Sequence, residues 1–154
     1  MKKILLKFNK KSIMKILFYT YILLIFIFIV FKFNGSFNEI LDRIDSIKSN
    51  REMGILNLNL TPFKQINDYK KNIFNLFAIK NIFGNIIAFL PFGFFIPTIY
   101  NKNFINTLII SLISILIIET LQFITMLGYF DIDDIILNTT GCLIGYFIYK
   151  MIYK

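Results

Sequence analysis

The chain has 154 residues, 56% hydrophobic and 18% aromatic, with a mean hydropathy of +0.67, which gives room for one domain and too much apolar surface for water. Its net charge of +8 does not form a nucleic-acid face, because six of the 17 basic residues (Lys2, Lys3, Lys7, Lys10, Lys11, Lys15) precede the first apolar run without an acid among them, where anionic membrane lipids are the fitting partner. One cysteine, Cys142, and no histidine exclude an intrachain disulfide, zinc sites built on His or Cys pairs, and Ser–His or Cys–His catalysis, and no cofactor is expected.

Residues 1–12 read as a basic cytoplasmic N-terminus and 13–32 as the first transmembrane helix, since roughly 20 residues of helix cross the hydrocarbon. The run is long for a signal-peptide core, and Phe31-Lys32-Phe33-Asn34 is too bulky for a cleavage site, which favours a retained helix. Residues 33–80 form an extracytoplasmic loop. Within it Phe37, Ile40, Leu41, Ile44 and Ile47 recur at helical spacing, with Glu39 and Asp42 near the start. After a turn near Asn50 to Gly54, Leu56, Leu58 and Leu60 alternate with Asn57 and Asn59, an extended stretch ending at Thr61-Pro62. From Phe63, Ile66, Tyr69, Ile73, Phe74 and Phe77 make a second amphipathic set flanked by Lys64, Lys70 and Lys71. The loop either rests on the outer headgroups or folds back as a lid over a cavity.

Residues 81–154 supply three more spans: Ile82 to Tyr100, Phe104 to about Met126, and Ile132 to Tyr149. Pro91 and Pro97 each remove a backbone hydrogen bond, so a kinked or broken helix is expected in the second span. Short connections at Asn101 to Asn103 and Leu127 to Asp131 make the three spans antiparallel neighbours. The expected fold is therefore all-α, a polytopic membrane bundle of about four transmembrane helices with interfacial helices in its extracytoplasmic loop. The N-terminal lysines, Lys102, Lys150 and Lys154 share one side, opposite Asp131, Asp133 and Asp134, so the positive-inside rule puts both termini in the cytoplasm. Richness in Ile, Asn, Lys and Phe suggests a bacterial source, hence the bacterial cytoplasmic membrane.

In this topology three spans bring polar residues to one depth. Asn81 and Asn85 share a helix face, as do Glu119 and Gln122, while Asp131, Asp134 and Asn138 follow at steps of three or four. The candidate functional cluster is Asn85, Glu119, Gln122, Asp131, Asp134 and Asn138. Glu119 sits roughly 10 Å below the outer end of its helix, and an ionisable group there is normally partnered or functional. The cluster could equally serve as hydrogen-bonding glue between helices. Asp131 suits the N-cap of the last span with Asp134 in its first turn, and Asp133, on another side, is expected to meet solvent. Gly84 with Ala88, and Gly141 with Gly145, are small-residue pairs that let helices approach; Pro91 and Gly93 join them as candidate packing positions.

The segment from Asn81 to Pro97, containing Gly84-Asn85, Pro91-Phe92-Gly93 and Pro97, resembles the hallmark of the VanZ-like membrane proteins. Glu119-Thr120-Leu121-Gln122, then Phe130-Asp131-Ile132-Asp133-Asp134 and Asn138, resembles that family's second block, and Asn59-Leu60-Thr61-Pro62-Phe63 its upstream Asn-Leu-x-Pro-Phe element. The likeness covers about residues 50–150. It implies an envelope protein connected with reduced susceptibility to teicoplanin-type glycopeptides, its partners being membrane lipids and a lipid-linked cell-wall precursor or the glycopeptide. Many members carry a basic residue between the third and fourth spans, where this chain has Met126-Leu127-Gly128-Tyr129, so that loop itself offers the acids no cation. Two other functions fit the residues. One is a membrane enzyme acting on an envelope lipid, with Glu119, Asp131 and Asp134 as acid–base groups or as oxygen ligands of a divalent cation. The other is a small proton-coupled exporter exchanging at Glu119. The sequence leaves the oligomeric state open.

Overall fold

A computed structural model describes residues 10–30, 36–64 and 76–153. The chain forms α1 (Lys10–Ile25), continued by a π-helical turn at Phe26–Val30, then α2 (Phe37–Glu52), β1 (Leu58–Asn59), α3 (Leu76–Tyr100), α4 (Phe104–Thr125), β2 (Phe130–Asp131) and α5 (Ile132–Tyr153). Four of these, α1 with its π turn, α3, α4 and α5, are long and apolar enough to cross a membrane, with mean hydropathies from 1.4 to 2.3. A span must satisfy its backbone polar groups internally, and a helix does so within one segment. The protein is an all-α membrane bundle. The amphipathic set at Ile66, Tyr69, Ile73 and Phe74, and Lys2, Lys3 and Lys7 of the N-terminal lysines, lie outside the described residues.

The local signals explain the boundaries. Asn103 caps α4 by accepting from the Asn106 N–H at 2.9 Å, and Met126 ends that helix in the left-handed region at φ 58°. In α2, Ile40 and Ile47 turn inward two helical turns apart, with Ile44 between them, and the helix stops at Met53-Gly54, where Gly54 has φ 82°. Of the kink or break expected at its prolines, the break does not occur: α3 is helical through Pro91 and Pro97, and it begins at Leu76 rather than Ile82. A proline costs its own N–H bond and crowds the carbonyl four residues back; for Pro97 that residue is Gly93, whose missing side chain leaves the helix free to press against α5.

The α3–α5 contact is the most extensive in the bundle. A Cβ added at Gly93 would overlap the Cys142 carbonyl, one at Gly141 the Ile86 carbonyl, and one at Gly145 the Leu90 carbonyl. The two backbones therefore lie against each other with no side chain between them at these three points. Gly84 is different, because nothing lies within 4 Å of its Cβ position. Around this spine Phe18, Phe89, Phe92, Ile96, Ile99, Ile115 and Cys142 form one buried cluster. Outward-facing Ile105, Ile109, Ile113, Ile117 and Ile124 leave an apolar stripe on α4.

Candidate functional site

The polar residues gather where α4 ends and α5 begins. Asp131 caps α5, its Oδ1 accepting from the Asp133 N–H at 2.8 Å, while its other oxygen accepts from Asn59 Nδ2 at 2.9 Å. The Asp131 N–H in turn donates to Glu119 Oε2 at 3.1 Å, so Glu119 ties the last turns of α4 to the first residue before α5. On α5's next face Asp134 Oδ1 accepts from Asn85 Nδ2 at 2.6 Å, joining α5 to α3. Glu119, Asp131 and Asp134 are all buried, at 1%, 2% and 4% exposure.

Asp133 corrects the sequence reading. It was expected to meet solvent, yet its exposure is 0%, and its carboxyl accepts a hydrogen bond from the Phe63 N–H. The cause is the extended chain after β1. That strand pairs parallel with β2, Leu58 opposite Phe130 and Asn59 opposite Asp131, and carries the residues as far as Phe63 over the face of α5 that periodicity alone would leave open. Gln122 also departs from the carboxyl group: its Nε2 donates to the Ile29 carbonyl in the π turn at 2.7 Å, tying α4 to α1. Among the described residues Gln122 Oε1 and Asn138 Oδ1 are buried atoms with no hydrogen-bond partner.

Further contacts come from Asn57, Arg51 and Arg43, which stand outside the candidate cluster. Asn57, 2% exposed, donates to the Gly128 carbonyl at 2.6 Å and the Phe123 carbonyl at 3.3 Å, and its own carbonyl accepts from the Phe130 N–H at 3.0 Å. Arg51 donates to Asn57 Oδ1 and to the Phe123 carbonyl, with its guanidinium carbon 4.7 Å from the Phe123 ring centre. Arg43 donates to the Leu127 carbonyl at 3.2 Å. The connection from α4 to α5, which carries no basic residue, thus receives the Arg43 guanidinium from α2, and the last turn of α4 before it receives that of Arg51. No sequence signal links Arg51 to Phe123, 72 positions away. The alternation around Asn57 and Asn59 was the only trace of this latch.

Chemically, the site is a set of buried carboxyl groups accepting from main-chain and amide N–H donors. Burial is costly for such groups unless they are bonded, and here the N–H donors to five of the carboxyl oxygens come from five different parts of the chain, at Asn59, Phe63, Asn85, Asp131 and Asp133. Among the described residues no three Cys, Asp or Glu side chains group as a metal-ligand set.

Protein VanZ of Enterococcus faecium is 32% identical to this chain over 98 residues, which is 63% of this chain and 55% of that protein. The matched stretch therefore spans about half the length of that curated relative. No solved structure matches. The family model described as VanZ/LLP1 matches residues 18–153, which takes in the last three spans, the greater part of the first, and the Asn59, Asn85, Glu119, Asp131 and Asp134 positions, and the chain belongs to the VanZ-like family.

Proposed function

We propose that this protein works in the bacterial cytoplasmic membrane, with both termini on the cytoplasmic side, and lowers susceptibility to teicoplanin-type glycopeptides. In this reading the carboxyl-rich end faces outward and binds a lipid-linked cell-wall precursor or the glycopeptide itself. The observation that carries it is the gathering of Glu119, Asp131, Asp133 and Asp134, all buried, at one end of a membrane bundle beside the amides of Asn59 and Asn85. Carboxyl groups concentrated within spans mark functional sites more often than packing alone requires. The orientation is supported by Lys102, between α3 and α4, and Lys150, late in α5, which lie at the end of the bundle opposite the acids.

The test is teicoplanin susceptibility in a sensitive Gram-positive host expressing the intact chain, Glu119→Gln or Asp134→Asn at equal membrane abundance. Both variants keep an oxygen that can accept the observed bonds from the Asp131 N–H and from Asn85 Nδ2. They remove the acid by exchanging the other oxygen for an NH2 group. Protection by the intact chain and its loss in both variants is the expected result. Full protection by both variants would reduce the carboxyl groups to packing elements, and no protection by the intact chain would remove the glycopeptide role.

A further inference from the structure

The extended chain from Ile55 to Phe63 is built inside out. Its polar side chains turn toward the bundle: Asn57, 2% exposed, holds the Gly128 carbonyl, and Asn59 holds Asp131. Its large apolar side chains turn away. Ile55, Leu56, Leu58, Leu60 and Phe63 are all exposed, Leu60 by 60% and Phe63 by 52%. A strand resting on a protein in water shows the opposite alternation, apolar residues inward and polar residues outward. In water this outward face would be an aggregation-prone edge, so the reversal calls for an apolar surrounding.

Depth supplies that surrounding. The span α4 ends at Thr125, six residues beyond Glu119, and Glu119 receives the Asp131 N–H. With the helical rise per residue, Asp131 lies roughly 9 Å below the end of α4. The β1–β2 pair sits at that level. Because the pair is parallel, the chain beyond Asn59 descends with α5, itself a membrane span, until the Phe63 N–H meets the Asp133 carboxyl. Backbone at membrane depth must find its partners within the protein. Leu58 and Asn59 are in the ladder, Pro62 has no N–H, and the Lys64 N–H donates to the Thr61 carbonyl at 3.4 Å. Phe63, at φ 61°, takes a left-handed conformation that bulky residues rarely enter, and its N–H is held there by Asp133.

We propose that residues 55–63 are a re-entrant segment whose outward face lies among the lipid acyl chains of the leaflet at the carboxyl-rich end. The partner of Leu58, Leu60 and Phe63 is then bilayer lipid and not water. Asp133 is the positioning residue, since it accepts the N–H that the turn at Phe63 would otherwise carry unbonded into hydrocarbon. Lys64, next in the chain and exposed, reaches back to the headgroups along its aliphatic stem. This contact with lipid continues the lipid-facing surface of α5, and it stands or falls independently of the glycopeptide reading.

The chain has no tryptophan, so single tryptophans report their own surroundings. Leu60→Trp and Phe63→Trp each replace an exposed side chain, and either reads the segment if the other does not fold. The full chain is placed in phosphatidylglycerol vesicles carrying brominated acyl chains, with iodide on both faces as the aqueous quencher. Both tryptophans should show blue-shifted emission, be quenched by bromine as strongly as Ile124→Trp on the apolar stripe of α4, and escape iodide. Ser49→Trp, on the exposed side of α2, should behave in the opposite way. Quenching by iodide and not by bromine would put the segment in water and overturn the proposal. Protection from both quenchers would mean that protein covers it, a second copy or the rest of this chain, and would overturn it equally. Asp133→Ala, added to Phe63→Trp, should exchange bromine quenching for iodide quenching, because the freed N–H must then find water. Asp133→Asn keeps an accepting oxygen and should leave the tryptophan in lipid. Unchanged quenching in Asp133→Ala would overturn the positioning role of Asp133.

Discussion

The α3–α5 interface and the latch from α2 to β1 hold the same bundle by opposite means. At Gly93, Gly141 and Gly145 two helices touch through their backbones, with no room for a methyl group. At Asn57, Arg51 and Arg43 the segment before the second span is fastened by side chains that donate to main-chain carbonyls of the last turn of α4 and of the α4–α5 connection. The first interface gains dispersion and shape, the terms that remain when lipid tails are as apolar as the helices themselves. The second gains hydrogen bonds at the polar end, where each bond contributes modestly and leaving one unmade costs more. A defect in the first should spread through the bundle, whereas one in the second should stay local.

Gly93→Val offers the largest expected effect. Its side chain would be driven into the Cys142 backbone, which cannot move without shifting the whole of α5. The cost should be about 3 kcal/mol or more, seen as loss of the folded fraction in detergent or a large fall in thermal midpoint. Asn57→Ala should cost about 2 kcal/mol by stranding the Gly128 carbonyl and freeing Arg51. The contrast lies in where the damage appears. Limited proteolysis should cut faster within residues 53–64 while the helical spans of Asn57→Ala melt nearly as in the parent. If Asn57→Ala unfolds the bundle as globally as Gly93→Val, the latch and the spine are one cooperative unit and the comparison fails.

The same contrast explains what the sequence made legible. Spans are set by hydropathy and by Asn103 and Asp131 as local caps, so α4 and α5 begin where the residues indicate, and α2 follows from the spacing of Ile40, Ile44 and Ile47. The Glu119–Asp131 and Asn85–Asp134 contacts were within reach because helical periodicity fixes both depth and face. Asp133 was misplaced because its burial depends on the chain as far as Phe63 crossing over α5, a long-range event that α5's own periodicity does not encode. Gln122, expected among the carboxyl groups, has its partner in a carbonyl of a π turn, a backbone irregularity that leaves no residue signature. The unbroken α3 shows that proline's penalty depends on context, since a helix pressed along α5 by glycine contacts stays helical through both prolines.

Gly84 sharpens the comparison from the other side. It stands in the same helix as Gly93 and in a small-residue pattern with Ala88, yet its Cβ position faces open space. Ala88 is engaged differently, its carbonyl accepting from the Tyr21 hydroxyl of α1 at 2.6 Å. If tight packing is confined to the α3–α5 spine, Gly84 costs helix stability without any compensating approach. Gly84→Ala should then be neutral or stabilising by about 0.5–1 kcal/mol, the usual gain for alanine over glycine inside a helix. The measurement is the thermal midpoint in detergent, followed by the same comparison in lipid vesicles. A gain in both confines the glycine requirement to the spine. A gain in detergent that turns into a loss in vesicles would mean that another helix presses against Gly84 in the membrane, and the small-residue pair would then mark an interface between chains.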